Sequence, residues 1–255
     1  MTGALVDPRA GTRFAMVGVS TVCGETKSGG HRISHTLNVS GITLVADPAG
    51  ALYWPEQHLL CVADLHLEKG SSFARRGMLL PPYDTGATLH AVDALIARYA
   101  PCVVVALGDS FHDGGGPARL ARRDRDQLLA LQRGREWIWI AGNHDPDPAP
   151  AIGGTFAHML ALGPIVFRHE PTGGVGEVAG HLHPSARISW RGHAIVRRCF
   201  AADGDRIVMP AFGAYTGGLN ILDKAFAKVF AARAFTAHLL GGRRLYAFAA
   251  AHCMA

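Results

Sequence analysis

The sequence predicts a layered α/β fold in which two β-sheets pack together. Three observations support this fold class. Beyond residue 40, short apolar runs alternate with Pro, Gly and Asp, as in strands joined by turns. In the first half, two segments with apolar residues at helical spacing lie between strand-like runs. In the second half, strand-like runs follow one another with little helix between them, which predicts a second sheet.

The first half contains the predicted helices. The runs "GITLVAD", "GALYWPE" and "HLLCVAD" are predicted strands. A helix is predicted over residues 84–99, because Leu89, Val92, Leu95 and Ile96 share one face and Asp84 can cap the first turn. "CVVVAL" is the next strand. A second helix is predicted to begin at Pro117 and to run through "PARLARRDRDQLLALQR", before the strand "EWIWI".

The second half is predicted to form strands at "GPIVFRH", "GEVAGH", "ARISW", "HAIVRRCF" and "DRIVMPAF". Residues 41–255 are predicted to form one domain without an internal linker. Residues 1–40 are predicted to be a flexible N-terminal extension, with an early start codon or a signal peptide near Arg9 and Arg13 as the alternatives.

Composition indicates a globular protein and limits its surroundings. Of 255 residues, 49% are apolar and 18% charged, and the net charge of +5 favours anionic partners such as nucleic acid. No apolar run approaches the ~18 residues that cross a bilayer, so no membrane association is predicted. Five scattered cysteines indicate neither a disulfide framework nor a thiolate zinc site. A cytoplasmic location is therefore predicted.

Polar residues follow five of the predicted strands directly. Any one of them is explained by a turn, but ligands of α/β sheets bind beyond the carboxyl ends of strands, and five such coincidences predict a site there. Carboxylate, imidazole and amide donors without thiolate suit Mn, Fe or Zn, and seven ligands are too many for one tetrahedral ion. Two divalent ions are therefore predicted, an arrangement suited to phosphoester hydrolysis. The ligands are Asp64, His66, Asp109, Asn143, His169, His181 and His183.

In chain order, Asp64-x-His66, Gly108-Asp109, Gly142-Asn143-His144-Asp145, His169 and Gly180-His181-x-His183 resemble the five motifs of the calcineurin-like metallophosphoesterases. The resemblance implies a two-sheet sandwich flanked by helices. It also implies a first metal on Asp64, His66, Asp109 and His183, and a second on Asp109, Asn143, His169 and His181, with Mn favoured over Fe or Zn.

The same resemblance implies the catalytic roles. His144 would face the scissile phosphate and assist the leaving group, while a metal-bound hydroxide attacks phosphorus. Asp145 would orient the His144 imidazole. His112 and Asp113, close to Asp109 in the chain, are expected to support the site or to form a turn.

A narrower resemblance covers most of the chain after residue 40. "VADLHLEKGSSFARRGMLLPPYDTG", "GDSFHD" and "PAFGAYTGGLN" are similar to bacterial ligase-associated DNA damage response endonucleases. This resemblance implies a DNA phosphodiester substrate and an association with DNA ligase, helicase and nuclease repair proteins. The alternatives are a phosphomonoesterase or small-nucleotide hydrolase, and a non-catalytic scaffold.

Several further residues have two readings. Arg75 and Arg76, with Glu68, Lys69 and Ser72, either line the mouth of the site or form an exposed helical face. Tyr215 and Thr216 either shape a substrate pocket or close a turn. A solvated helix face is favoured over a DNA contact for Arg119, Arg122, Arg123 and Arg125. No segment is identified in which aromatic and basic residues alternate to stack unpaired bases.

Overall fold

The computed structural model describes residues 3–6, 15–17, 35–147 and 149–255. Two strands precede the main domain, β1 (Gly3–Val6) and β2 (Ala15–Val17). Seven strands then form one sheet in chain order. The first three pairings are antiparallel and the last three parallel. The strands are β3 (His35–Val39), β4 (Ile42–Ala46), β5 (Leu52–Trp54), β6 (Leu59–Ala63), β7 (Val103–Leu107), β8 (Glu136–Ile140) and β9 (Thr155–Ala157).

The second, larger sheet has the order β16-β13-β14-β15-β12-β11-β10-β1-β2, and β17 joins it by pairing with β14 and β18. Within it, β11, β12 and β15 are parallel neighbours. Its remaining strands are β10 (Met159–Leu162), β11 (Ile165–Arg168), β12 (Glu177–Ala179), β13 (Pro184–Trp190), β14 (His193–Ala202), β15 (Arg206–Val208), β16 (Leu219–Asn220), β17 (Thr236–Leu240) and β18 (Leu245–Ala249).

The helices are α1 (Lys69–Ala74), α2 (Asp84–Tyr99), α3 (Gly116–Arg119) and α4 (Arg122–Gln132). Short 3₁₀ turns lie at Pro55–Gln57, Pro150–Ile152, Phe226–Lys228, Ala231–Arg233 and Ala250–His252. Among the described residues, no helix is both long and apolar enough to cross a membrane.

Three apolar clusters hold these layers together. The central one joins the facing sides of the two sheets, with Val105 and Ile138 from one sheet and Phe167 and Phe200 from the other. A second lies between the smaller sheet and helices α2 and α4. A third covers the outer side of the larger sheet with the turns around Phe226. Because β6 and β7 are buried on both faces, their sequences are continuously apolar. The predicted α/β two-sheet sandwich is confirmed.

Two details of the predicted helices are wrong. The second helix is divided, because Leu120 and Ala121 have extended ψ angles of 122° and 144° between α3 and α4. Asp84 makes no capping hydrogen bond. Its carboxylate instead accepts the Gly70 amide at 3.0 Å, which ties α1 to α2.

The beginning of the chain and several strands also differ from expectation. β3 begins at His35, so the smaller sheet starts before residue 41, and β1 pairs with β10. Most of the predicted extension, residues 1–2, 7–14 and 18–34, lies outside the described residues. The strands that the sequence did not predict are β1, β2, β3, β9, β10, β16, β17 and β18.

Candidate metal centre

The topology brings all seven predicted ligands to one place. Strands β6, β7 and β8 are parallel neighbours, so the residues that follow them meet at one edge of the smaller sheet. Strands β11 and β12 are parallel neighbours in the larger sheet and end at the same site. Six ligands form two groups in which all ligand atoms lie within 4.8 Å of one another: Asp64, His66 and His183, and Asp109, His169 and His181.

Asp109 lies between the two groups. Its Oδ2 atom is 3.8 Å from His66 Nε2, in the first group, and its Oδ1 atom is 3.4 Å from His169 Nε2, in the second. Within the first group, His183 Nε2 is 3.3 Å from His66 Nε2 and 3.4 Å from Asp64 Oδ1. The two carboxylate oxygens of Asp109 therefore point to different groups.

The second group fits a cation by the arrangement of its lone pairs. His169 Nδ1 faces the Leu107 carbonyl at 3.3 Å and donates to it, so in the neutral ring Nε2 carries a lone pair. Asn143 Oδ1 lies 2.9 Å from that Nε2 atom, and His181 Nδ1 lies 3.2 Å from it. These three acceptor atoms lie close to one another, an arrangement that suits a divalent cation with nitrogen and oxygen ligands.

The electrostatics of the site also favour a cation. Burial lowers the pKa of His66 to about 3 and outweighs the opposing charge of Asp109, so this imidazole is neutral and can act as a ligand. Burial acts to raise the pKa of Asp109, but the neighbouring His169 imidazole and the hydrogen bond from the His144 amide outweigh it and lower that pKa to about 2. For His169, burial acts downward, yet the carboxylates of Asp109 and Asp64 raise the pKa. The site therefore attracts positive charge.

Five of the ligand residues have left-handed backbone conformations, which are uncommon outside glycine. Their φ angles lie between 43° and 67°. Backbone hydrogen bonds hold these loops, since the His66 amide donates to the Asp109 carbonyl and the His181 amide to the Asp64 carboxylate. Such conformations persist only where the surrounding structure fixes them, and they cluster at functional sites. The five are Asp64, His66, Asp109, His181 and His183.

The glycines of the motifs allow loops to approach closely. A Cβ atom on Gly142 would lie 2.2 Å from both the amide nitrogen and Oδ1 of Asp109. A Cβ atom on Gly108 would lie 2.2 Å from His169 Nδ1, and Gly108 has a φ of 71°. Only glycine fits at these positions, which gives a physical reason for the Gly-Asp and Gly-Asn-His patterns.

His144 lies at the exposed side of the same site. Its side chain is 40% exposed, and its Nε2 atom is 3.9 Å from Asp109 Oδ2. Its Nδ1 atom donates to the His112 carbonyl at 2.8 Å, which leaves Nε2 facing the site. The His112 ring lies 5.5 Å from the His144 ring and 5.6 Å from the His66 ring, so His112 belongs to the site.

The role predicted for Asp145 is wrong in this structure. Its carboxylate does not contact the His144 imidazole. Instead it accepts the Phe111 amide at 3.0 Å and the Gly142 amide at 3.2 Å, which joins the loops after β7 and β8. Burial raises its pKa to about 7. The His112 carbonyl orients His144, and sequence cannot identify a main-chain acceptor of this kind.

The residues around the mouth divide into exposed and internal ones. Arg75 and Arg76 are exposed, as a mouth position requires. Glu68 and Ser72 are buried, and Glu68 accepts the Thr85 hydroxyl at 2.9 Å. Asp113 binds the Arg119 guanidinium through both carboxylate oxygens. Arg123 and Arg122 have acidic partners on α4, and Arg125 donates to the Pro117 carbonyl. The prediction of a solvated helix face agrees with the exposure of Arg122 and Arg123. It is wrong for Arg119, which is largely enclosed against Asp113 and Ser71, and for Arg125, whose Nε atom is buried.

The loop that carries Tyr215 and Thr216 lies over the first ligand motif. Lys69 Nζ donates to the Tyr215 carbonyl at 2.9 Å. The Thr216 hydroxyl donates to the Gly213 carbonyl at 2.7 Å, so Thr216 closes a turn rather than lining a pocket. Sequence reasoning missed Arg198, whose Nη1 atom donates to the carbonyls of Ala211 at 2.8 Å and Gly213 at 3.1 Å. Its position within a run of strand residues gives no such signal.

A two-sheet sandwich with converging His and Asp side chains at the strand ends defines a metal-dependent phosphoesterase. The model of the calcineurin-like phosphoesterase family matches residues 58–206, more than half of the chain. The chain therefore belongs to that family.

Solved structures that match this chain include the following two. The crystal structure of Pseudomonas putida nuclease MPE is similar, with 26% identity, a TM-score of 0.63, and coverage of 84% of this chain and 100% of that one. A phosphoesterase from E. coli, Yfce, has 15% identity and a TM-score of 0.36, over 75% of this chain and 98% of that one. No curated protein matches.

Proposed function

We propose that the protein is a phosphodiesterase that holds two divalent metal ions and cleaves DNA. The observation that carries this proposal is Asp109, whose two carboxylate oxygens face two separate groups of ligands. A carboxylate placed in this way is suited to bridge two ions. The similarity over the full length of a nuclease supports a nucleic-acid phosphodiester as the substrate.

The ligand sets follow from the two groups. Asp64, His66, Asp109 and His183 would hold one ion. Asp109, Asn143, His169 and His181 would hold the other, since Asn143 Oδ1 shares the focus of the second group. Two divalent ions would lower the pKa of bound water and neutralise charge on the phosphoryl oxygens. Mn is the proposed metal, with Fe and Zn as alternatives suited to the same ligands.

Residues other than the proposed metal ligands would orient the acid, hold the loops and attract the substrate. The His112 carbonyl accepts a hydrogen bond from His144 Nδ1 and so directs Nε2 to the leaving oxygen. As the imidazolium, His144 would deliver the Nε2 proton to that oxygen and keep the Nδ1 contact. The Asp145 carboxylate keeps the loops of Asp109 and Asn143 in register through main-chain amides. Arg75 and Arg76 are exposed, and the charge of Arg76 acts on the His112 imidazole. Both arginines would attract the phosphate backbone.

The test is hydrolysis of a bis-aryl phosphate by the Mn-loaded protein and by its His144→Ala variant. We expect turnover to fall by about 10²- to 10⁴-fold in the variant, as for the loss of a general acid. Bound Mn, measured by mass spectrometry of the metal, should be unchanged, because His144 is not a proposed ligand. Full activity in His144→Ala would remove His144 from the mechanism.

A second assay tests whether the protein prefers phosphodiesters to phosphomonoesters. Mono-aryl and bis-aryl phosphates are compared in the same assay, followed by linear, nicked and single-stranded DNA. A clear preference for the monoester would contradict the diester assignment. Loss of turnover with every metal and substrate would favour a non-catalytic scaffold.

The proposed cellular setting is DNA repair. The resemblance to ligase-associated repair endonucleases supports a cytoplasmic role in DNA repair beside DNA ligase, helicase and nuclease proteins. Affinity capture from cells with a DNA-damaging treatment tests it. Recovery of none of these proteins would leave the nuclease without this repair association.

A further inference from the structure

One hairpin extends beyond the apolar core of the larger sheet. Strands β13 and β14 pair from Ser185 with Arg198 to Trp190 with His193. All residues from 189 to 194 are exposed. Arg191 and Gly192 form the two-residue turn, with φ angles of 50° and 80°, as in a type I′ turn. Such turns favour Asn, Asp or Gly, so an arginine at the first position is unusual.

The hairpin is basic and lacks acidic residues. Residues 184–198 contain four arginines and neither Asp nor Glu. Within the described part of the chain, Arg191 and Arg197 form no ion pair, and Arg197 Nη1 donates only to the Val196 carbonyl at 2.9 Å. Arg187 donates to the Ala255 carbonyl at 3.0 Å. Two exposed guanidinium groups therefore have no negative partner among the residues that the structure describes.

An exposed aromatic residue lies among these charges. Trp190 is 55% exposed, directly opposite the exposed His193. An aromatic platform beside free guanidinium groups is the combination that binds single-stranded nucleic acid, through base stacking and phosphate contacts.

The hairpin is continuous with the metal centre. β13 begins at Pro184, directly after the ligand His183. With about 3.3 Å per residue, the seven residues from His183 to Trp190 span at most about 23 Å. A strand with one phosphate in the metal centre can therefore reach Trp190 several nucleotides away. A protein partner of the hairpin would not have to reach the metal centre, whereas a DNA substrate would.

We propose that Trp190, Arg191 and Arg197 bind the DNA strand whose phosphodiester is cleaved at the metal centre. This inference rests on the proposed function and names a contact for its substrate. Trp190 stacks on an unpaired base, and the two arginines contact phosphates. The sequence alone did not identify this hairpin as an aromatic and basic segment. The pairing of β13 with β14 places Trp190, His193 and Arg197 on the same face of the hairpin.

The test uses the full chain and a fluorescent single-stranded 30-mer. Binding is measured by anisotropy with chelator present, so that no cleavage occurs, and hydrolysis of a bis-aryl phosphate is measured with Mn. We expect Trp190→Ala to weaken DNA binding about tenfold, as for the loss of one stacked base. Trp190→Phe should restore most of the affinity. The small diester should be hydrolysed by Trp190→Ala within twofold of the unaltered rate.

The arginines give a second readout. Arg191→Gly suits the turn, and Arg197→Gln keeps the side-chain length. In a plot of log K against log salt concentration, each variant should reduce the magnitude of the slope by about 0.7. This is the change expected for the loss of one phosphate contact on a single strand. The matched control is Arg122→Ala, because Arg122 is 96% exposed on α4. It should change neither affinity nor slope.

The outcomes separate this inference from the proposed function. Unchanged DNA affinity in Trp190→Ala and an unchanged slope in the arginine variants would overturn it, even if the small diester is hydrolysed. A change only in oligomeric state or in capture of a protein would also overturn it, in favour of a protein partner. Failure of bis-aryl phosphate hydrolysis would refute the proposed function, while the anisotropy would still decide the role of the hairpin.

Discussion

The floor of the metal centre and its rim are built in different ways. The floor consists of Asp64, His66, Asp109 and His169, whose exposures are 0%, 6%, 2% and 4%. The rim consists of Asn143 and His144, which are exposed, and the exposed Arg76 is close enough to His112 for its charge to act on that imidazole. Floor residues follow buried parallel strands and are held by neighbouring loops. At the rim, one hydrogen bond to the His112 carbonyl orients the His144 imidazole, while the His144 amide donates to Asp109.

The comparison shows that the floor is rigid and enclosed, while the rim is open to a substrate. Charged and polar groups in the floor are costly to bury, so the fold surrounds them with partners of opposite character. The rim must admit a substrate and cannot be enclosed in the same way. We therefore expect changes in the floor to remove metal and activity together. Changes at His144, Arg75 or Arg76 should alter turnover or DNA affinity with the metal retained, whereas a change at Asn143, a proposed ligand, should also weaken metal binding.

The largest effect is expected for Asp109→Ala. Loss of the carboxylate between the two groups removes a ligand from both and several kcal/mol of charge stabilisation, so activity should fall at least about 10³-fold. Bound Mn should fall as well, and the rise in melting temperature on adding Mn should disappear, since that rise requires binding to the folded state. Normal metal content in this variant would refute the distinction between floor and rim.

A smaller loss is expected for Gly142→Ala. The added methyl group would meet the amide and carboxylate of Asp109, and a displacement of about 1 Å in such a site costs roughly 10²-fold in rate. Gly114→Ala is the matched control, because a Cβ atom there meets nothing within 4 Å. Steady-state rates with a bis-aryl phosphate compare the two. Equal rates would show that the loops of the floor adapt freely.

The smallest effect is expected at the rim for Arg75→Ala combined with Arg76→Ala. Both side chains are exposed, so stability should change by no more than about 0.5 kcal/mol. The KM for DNA should rise about 3- to 10-fold at low salt and the difference should shrink at high salt, because screening weakens exposed charges. Hydrolysis of the small diester should be unchanged. A loss of bound Mn in this double variant would place these arginines with the floor.

The floor was predictable from sequence, and parts of the rim were not. Continuously apolar runs such as "CVVVAL" identified buried parallel strands, and the polar residues after them, such as Asp109, had to lie at one sheet edge. The partner of Asp145 was not predictable, since its carboxylate binds main-chain amides from another loop. The same limit hid Arg198, whose acceptors are carbonyls distant in the chain.

Errors in the fold have similar physical causes. The division of the helix after Pro117 falls at Leu120 and Ala121, residues with good helix propensity, so tertiary contacts overrode the local preference. Asp84 favours helix caps, but the Gly70 amide competes for its carboxylate. Strand β17 was missed because "TAHLL" is short and lacks β-branched residues after its first position.

The left-handed conformations of Asp64, His66, Asp109, His181 and His183 have a consequence for protein engineering. The direction of each Cα–Cβ bond at these positions arises from a backbone that ordinary strands and helices do not offer. Copying the side chains onto another scaffold at the same chain spacing would therefore aim them elsewhere. A successful transplant would have to carry the loops, the glycines that let them touch and the main-chain hydrogen bonds between them as one unit.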